Sequence, residues 1–235
     1  MSSLSNSIHD YPKPSVTVDG VIFALDAIKS STSHRKLPEP VLKVLLHSRS
    51  EEPFKGIWAL PGGFLDIDSP ADEILKRKVA TKTGVVNYYF EQLATFDAPN
   101  RDPRGRVLSI AYLGFVSPFH NQQSSTAVWF EVDVQSASVN GLTLLAFDHN
   151  AIIETAIRRL QGKIEYTDIA FNLLPQEFTI TQALDAYNVI LGRTKYTQSD
   201  FRRKFGHLFV PTGKTRTQGG NRPAELFTRT HLEGN

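Results

Sequence analysis

The 235-residue chain is 40% hydrophobic and 21% charged with a formal net charge of +2, which is typical of a globular protein with a core of its own. It contains no cysteine, so disulfides, thiolate catalysis and cysteine-ligated zinc are excluded. No apolar run approaches the ~18 residues of a membrane span, and the polar residues 1–13 lack the order of a signal peptide. These features predict a cytoplasmic protein without a membrane partner.

The first part of the chain is predicted to consist mainly of strands. Apolar runs and alternations predict strands over 15–27, 41–49, 57–60, 87–96, 106–116 and 128–132. Loops rich in Ser, Pro, Gly and charged residues separate them at 30–40, 50–56 and 97–105. After 141–147, Asp148 is a good N-cap for a helix with apolar residues at helical spacing, namely Ile152, Ile153, Ala156, Ile157 and Leu160.

The stretch 57–85 combines a strand, a glycine loop and a helix. The apolar strand ends at the tripeptide P-G-G at 61–63, and the helix that follows has Ser69 as its predicted N-cap and Pro70 as its first residue. Paired glycines let the backbone approach a ligand closely, and a helix start offers free N–H groups and a positive dipole end. The element therefore suits a ligand that bears phosphate.

The order W-A-L-P-G-G-F followed by R-x-x-x-x-x-x-G resembles the loop and helix of the Nudix hydrolase family. In that family, glutamates on the helix hold a divalent metal for diphosphate hydrolysis. This sequence has Lys78, Thr81 and Lys82 where the resemblance implies carboxylates, and two ammonium groups on one helix face would repel such a cation. Nearby acids are interpreted as loop polarity and as partners of the helix dipole, with a rebuilt metal site as the alternative: Asp66, Asp68, Asp72 and Glu73. We therefore predict binding without hydrolysis, with no catalytic residue, no metal site and no cofactor.

The loop N-R-D-P-R-G-R at 100–106 is a second candidate site. Its three guanidinium groups can form bidentate hydrogen bonds with a diphosphate or a carboxylate. The alternative is a solvated hairpin tip in which Asp102 pairs with an arginine. The loop is similar to that of Nudix proteins that handle ADP-ribose, which favours ligand binding. Arg49 is added from the layout of that family, although a solvated strand end is an equal interpretation. The predicted ligand-binding residues are Arg49, Gly62, Gly63, Phe64, Lys78, Lys82, Arg101, Arg104 and Arg106.

The C-terminal part is predicted to contain two helices and a hairpin. Apolar residues at helical spacing over 180–191 end at Gly192, and Thr197 is placed to cap a second helix whose apolar stripe reaches Leu208. The glycine-tipped segment that follows, 210–223, leads into a possible strand. Two helices with a short turn, followed by a hairpin, predict a winged helix-turn-helix.

This C-terminal part is also basic. Between Arg193 and Arg222, eight residues are basic and Asp200 alone is acidic. An arginine face opposite the apolar stripe, together with a basic hairpin, favours binding to double-stranded DNA; a charged helix beside a flexible tail is the alternative. The predicted DNA-binding residues are Thr197, Ser199, Arg202, Arg203, Lys204, Lys214, Arg216 and Arg222.

Four further motifs extend the resemblance over nearly the whole chain: F-D-H at 147–149, N-L-L-P-Q-E-F-T at 172–179, D-F-R-R-K at 200–204 and R-P-A-E-L-F at 222–227. The combination is similar to the Nudix-related transcriptional regulators of NAD metabolism (NrtR-like). The resemblance implies an α+β fold, with a Nudix-type α/β/α sandwich and mixed sheet over 1–162, followed by a linker and winged helix-turn-helix over 163–235. It also implies a homodimeric repressor that binds a palindromic operator and senses ADP-ribose or a related nucleotide. An ADP-ribose pyrophosphatase is the alternative.

Overall fold

The structure of the protein is a computed structural model that describes residues 11–27, 40–117, 126–217 and 223–230. Eight strands of these ranges form one mixed sheet: Ser15–Ala27 (β1), Pro40–Ser48 (β2), Trp58–Ala59 (β3), Gly62–Phe64 (β4), Tyr89–Phe96 (β5), Val107–Val116 (β6), Ala127–Asp133 (β7) and Ser138–Val139 (β8). The sheet has the order β5-β6-β1-β2-β7-β8, with β3 paired to β2 and β4 paired to β1. Strands β1 and β6 are parallel, whereas the other pairs are antiparallel.

The remaining elements are helical apart from one hairpin. They are the helices Ala71–Thr83 (α1), His149–Lys163 (α2), Ile180–Leu191 (α3) and Gln198–Phe205 (α4), the 3₁₀ helices Ile169–Leu173 and Gly206–Leu208, and the strands Phe209–Arg216 (β9) and Ala224–Arg229 (β10). No helix in the described part of the chain is long and apolar enough to cross a membrane.

Helix α1 covers one face of the large sheet and α2 covers the other, which confirms the predicted α/β/α sandwich. Successive side chains of a strand point to opposite faces, so β1 contributes to both layers. Val18 and Ile22 pack with Leu75 of α1, whereas Val21 and Phe23 belong to the core beneath α2. Burial of each such side chain stabilises the fold by about 1.5–3 kcal/mol.

Most predicted strands are confirmed to within two residues. The predicted Ser69 cap is wrong, whereas Asp148 is at the predicted N-cap position but forms no side-chain cap hydrogen bond. Pro70 precedes α1 without a side-chain cap, because the hydroxyl of Ser69 bonds to the Asp66 carboxylate instead. Asp148 precedes α2, but both of its carboxylate oxygens accept hydrogen bonds from Arg101. The loop predicted over 30–40 lies outside the described residues up to Pro40, where β2 begins.

The C-terminal part has the predicted winged-helix arrangement. Thr179 caps α3 in a capping box with Gln182, and the Thr197 hydroxyl accepts from the Asp200 backbone N–H at the start of α4. Strands β9 and β10 form the hairpin, and the backbone of Phe178 exchanges two hydrogen bonds with that of β10 at 2.8 and 3.0 Å. The apolar core of this part is continuous with the core beneath α2.

Candidate ligand cavity and nucleic-acid interface

A cavity of about 490 Å³ opens where the glycine loop, the end of β2, α1, the arginine loop at 100–106 and the start of α2 meet. Its walls carry eight of the nine predicted ligand-binding residues; the exception is Arg106. The side chains that complete the lining are Thr17, Asp19, His47, Ser48, Ser50, Glu51, Leu60, Thr81, Asp102, Thr126, Phe147 and His149.

The glycine loop forms one wall because it packs tightly against β1. A side chain at Gly62 would place its Cβ 2.1 Å from the Val18 carbonyl oxygen, so this position admits only glycine. At Gly63 the space above the Cα is filled by the stem of Lys78, whose Cε lies 3.0 Å from the position that a Cβ would take. The missing side chains therefore bring β1 and α1 close to the loop.

A buried network of charged and polar groups forms the floor of the cavity. Arg101 donates two hydrogen bonds to Asp148, at 2.6 and 2.9 Å, and its side chain is 3% exposed. The second carboxylate near this guanidinium, that of Asp19, lies 3.9 Å away and accepts a 2.5 Å hydrogen bond from the Ser109 hydroxyl. Arg101 is thus tied to the protein itself, which fixes the arginine loop to the first residue before α2.

His149 completes this floor. The Leu60 backbone N–H donates to its Nδ1 at 2.9 Å, and its Nε2 lies 3.7 Å from the Asp19 carboxylate. Burial lowers the pKa of His149, so the ring is neutral and carries its proton on Nε2. The histidine therefore links the strand before the glycine loop to α2 and to β1.

Two of the predicted arginines lie at the mouth of the cavity, stacked with aromatic rings. The guanidinium of Arg49 lies 4.8 Å from the centre of the Phe147 ring, and that of Arg104 lies 4.9 Å from Phe64 and 5.6 Å from Phe147. Arg104 also forms a bidentate ion pair with Asp102. These cation–π contacts hold both guanidinium groups beside rings of the cavity lining.

The three arginines of the 100–106 loop therefore have different surroundings, although the sequence grouped them. Arg104 faces the cavity, Arg101 is buried beneath it, and Arg106 donates to the Asp97 carbonyl oxygen outside the cavity lining. The predicted pairing of Asp102 with an arginine is present as well. One loop thus supplies both a cavity wall and a hairpin tip.

The face of α1 that the Nudix family uses for metal does not fit a divalent cation here. Lys78, Thr81 and Lys82 line the cavity, and the Lys82 ammonium lies 3.3 Å from His47 Nε2. The Thr81 hydroxyl donates to the Arg77 carbonyl oxygen. Within the described ranges, no group of three or more His, Asp or Glu side chains is arranged to hold a metal ion. Positive charge stands where a cation would need anionic oxygen.

Among the lining residues that were not predicted to bind ligand, four belong to the cavity floor, the stacked arginines or the Lys82 contact: Asp19, His47, Phe147 and His149. Asp19 and His47 lie within apolar strands, where a single polar residue is usually interpreted as part of the core. The F-D-H motif was a usable signal for the other two, because it stands next to the end of a loop and the start of a helix. Trp58, in the strand before the glycine loop, is not in the cavity lining and packs against Phe130 beside the core.

The basic surface of the winged helix lies on α4. Arg203 is the most prominent residue, with a side chain that is 80% exposed and paired with Asp200. Arg202 leans toward the hairpin, 5.3 Å from the Phe227 ring. Lys204 turns toward the preceding turn, where its ammonium donates to the Tyr196 hydroxyl at 3.0 Å. The exposed Thr197 and Ser199 stand at the N-terminal end of the same helix.

The hairpin supplies two more of the predicted residues. Lys214 and Arg216 are exposed on β9, which pairs with β10. Lys214 pairs with Glu177 at 2.6 Å. Arg222 lies outside the described residues.

Helix α2 joins the cavity to the winged helix. Its first turn holds His149, and its last turn holds Gln161, whose amide donates to the carbonyl oxygens of Val134 and Ile190 at 3.0 and 3.1 Å. Gln135 donates to the Gly192 carbonyl oxygen at 2.7 Å, so the C-terminal end of α3 is bound by two glutamines from outside the winged helix. Hydrogen bonds thus connect the first turn of α2 to the cavity floor and its last turn to α3.

Comparisons with known proteins agree with this architecture. The family model described as the NrtR DNA-binding winged helix domain matches residues 170–228. The "ADPR responsive transcriptional repressor NtrR" of Acinetobacter baylyi is 33% identical over 224 residues, which cover 93% of this chain and 83% of that protein. An ADP-ribose pyrophosphatase of Methanocaldococcus jannaschii is 32% identical over 152 residues, 65% of this chain and 78% of that protein.

A solved structure extends the likeness to the whole fold. The crystal structure of Shewanella oneidensis NrtR complexed with a 27mer DNA matches with a TM-score of 0.74 and 33% identity, over 92% of this chain and 93% of that one. The fold is thus that of a Nudix domain joined to a winged-helix DNA-binding domain. The chain belongs to the NrtR family of Nudix-related transcriptional regulators.

Proposed function

We propose that this protein is a cytoplasmic DNA-binding repressor of NAD biosynthesis or salvage genes that senses ADP-ribose or a related NAD metabolite. The observation that carries the proposal is a cationic cavity in a Nudix frame, joined in one chain to a winged helix with an exposed basic face. The printed descriptions of the Acinetobacter and Shewanella relatives, one responsive to ADPR and one complexed with DNA, support the two halves of the proposal.

The proposed division of the chain gives residues 1–162 to ligand sensing and 163–235 to a linker and DNA binding. One winged helix offers a small contact area, and two copies gain affinity when half-sites lie about one helical turn apart. We therefore expect a homodimer on a palindromic operator. Contact through the Nudix domains keeps the two basic modules apart until DNA neutralises them.

Helix α2 offers a route by which ligand could change DNA binding. Its N-terminal end is bonded to the cavity floor through Asp148 and His149, and its C-terminal end is bonded to α3 through Gln161. A ligand that binds the DNA-incompetent arrangement more tightly releases the operator, and by linkage the operator weakens ligand binding by the same factor.

Hydrolysis is the alternative function, which the similarity to an ADP-ribose pyrophosphatase favours. The proposal assigns no enzymatic activity, because Lys78, Thr81 and Lys82 stand on the face where metal-binding carboxylates belong. Incubation of ADP-ribose with the protein and Mg²⁺ or Mn²⁺, followed by chromatography, tests this point. Turnover to AMP at the rate of an enzyme contradicts it.

The deciding experiment for the whole proposal is a gel shift with a palindromic operator fragment in the presence and absence of ADP-ribose. We expect a specific shift that ADP-ribose alters. A protein that binds operator and random DNA equally, or that responds to no nucleotide, is not the proposed regulator.

A further inference from the structure

The departure of α1 from the metal-binding pattern leaves two lysines in the cavity. Lys78 and Lys82 are one helical turn apart, so both side chains extend from the same face, and the stem of Lys78 lies over Gly63. Their ammonium groups therefore reach the space between the glycine loop and the end of β2. This space lies beside the backbone of Gly62 and Gly63.

A neutral histidine orients the Lys82 ammonium. His47 is 6% exposed, and burial with the nearby Lys82 charge lowers its pKa to about 4. Its Nδ1 donates to the Ser48 carbonyl oxygen at 3.2 Å, which leaves the Nε2 lone pair for the Lys82 ammonium at 3.3 Å. One N–H of Lys82 is engaged in this way, and the other two are available to a ligand.

The two lysines lack the ion pairs that Arg101 and Arg104 have. Arg101 and Arg104 each donate two hydrogen bonds to one carboxylate, whereas no carboxylate oxygen of the described residues lies within 4 Å of the Lys78 or Lys82 ammonium. Burial lowers the pKa of Lys82 to about 8. The charged groups that act on it are Asp19, Arg49, Glu51 and Lys78. A partly buried cation without a counterion is costly, and an anionic ligand removes that cost.

We propose that Lys78 and Lys82 form a cationic seat for the diphosphate of the nucleotide ligand and make its binding independent of divalent metal. The inference rests on the proposed function for the identity of the nucleotide, but its chemistry requires only a diphosphate. An ammonium group that binds phosphate oxygens directly neutralises the charge that Mg²⁺ neutralises in metal-dependent diphosphate sites. His47 acts as a positioning residue for Lys82.

Calorimetric titration of the full-length protein tests this seat. We expect the same ADP-ribose affinity in EDTA and in Mg²⁺, because the lysines replace the metal. The double variant Lys78→Gln/Lys82→Gln should weaken ADP-ribose binding by about tenfold or more. This is the loss expected when hydrogen bonds to charged groups are removed. Lys76→Gln is the matched control, since Lys76 lies on the same helix, is exposed and pairs with Asp72. It should leave the affinity unchanged.

Adenosine and inorganic pyrophosphate separate the possible outcomes. The double variant should bind adenosine as the wild type does, and it should lose affinity for pyrophosphate. The inference is overturned if ADP-ribose binding is lost in EDTA. It is also overturned if the double variant is folded by circular dichroism and keeps full affinity for ADP-ribose. If wild-type protein binds pyrophosphate through the lysines but not ADP-ribose, the seat stands and the proposed ligand fails. If it binds neither, the seat is refuted.

Discussion

The cavity and the winged helix both gather positive charge, but they hold it in opposite ways. In the cavity, Arg101 is buried against Asp148 and Lys82 is partly buried beside a neutral histidine. On the winged helix, Arg203 and Lys214 are exposed, and each is paired with one neighbouring carboxylate. Buried cations have fixed geometry and a high desolvation cost, whereas exposed cations attract phosphate over a distance and are screened by salt.

This difference separates recognition of a small ligand from recognition of DNA. A cavity can discriminate between nucleotides because its cations cannot move to follow a different ligand. On the winged helix, the exposed cations must instead change partner, from carboxylates of the protein to phosphates of the DNA. Exposed ion pairs are weak, so this exchange costs little free energy.

The largest expected effect concerns the stability contributed by the buried pair. Arg101→Ala leaves Asp148 and Asp19 without their cation and should lower the free energy of unfolding by about 3–5 kcal/mol. Arg203→Ala, which breaks an exposed pair, should leave stability nearly unchanged. Urea unfolding followed by circular dichroism measures both variants. Equal losses would mean that burial does not distinguish the two pairs.

The second prediction divides the winged-helix cations by role. Arg203 stands at the centre of the outward face, so Arg203→Ala should cost about 1–3 kcal/mol on operator DNA with little effect on random DNA. Lys214→Ala and Arg216→Ala should weaken both DNAs similarly and reduce the salt dependence, as loss of phosphate contacts does. Fluorescence anisotropy at several salt concentrations measures this. An equal loss on both DNAs for Arg203→Ala contradicts its role as a base reader.

The third prediction concerns pH and the cavity alone. The pKa of Lys82 is lowered to about 8, so the ammonium that binds the ligand is present at pH 7 and is lost as the pH rises through 8. ADP-ribose affinity should therefore fall by about tenfold between pH 7 and pH 9. Calorimetry across this range, with Lys82→Gln as the control, should show that the variant lacks this fall. A parallel fall in the variant would assign the pH dependence to another group.

The smallest expected effect is an increase in DNA affinity. In the free protein Glu177 forms an ion pair with Lys214. Glu177→Gln removes this pair and should strengthen binding to any DNA by roughly two- to threefold, as expected for an exposed pair. Glu225→Gln is a useful comparison, because Glu225 lies 3.8 Å from Arg202. Anisotropy with random DNA is the measurement, and weaker binding of the Glu177 variant would show that the carboxylate positions the lysine for DNA.

The sequence by itself determined the local structure and the frame of both functional regions. Strand periodicity located β1, and the tripeptide at 61–63 with Gly84 marked the loop and helix of the cavity. The helical spacing over 180–191 and the stop at Gly192 marked the extent of α3. These features depend on interactions within a few residues, such as caps, turn conformations and alternation, so a sequence window contains their causes.

Tertiary structure alone decided what the charged residues do. Arg101 and Asp148 are 47 positions apart in the chain, and they form an ion pair in the cavity floor. Arg101 was predicted to bind ligand and Asp148 to cap α2, but each side chain bonds to the other instead. His47 and Lys82, 35 positions apart, meet only because α1 folds over the sheet. The spacing of charged residues along the chain predicts the region in which they lie. Whether a charged side chain stabilises the fold or binds a ligand depends on its burial and on its nearest counterion.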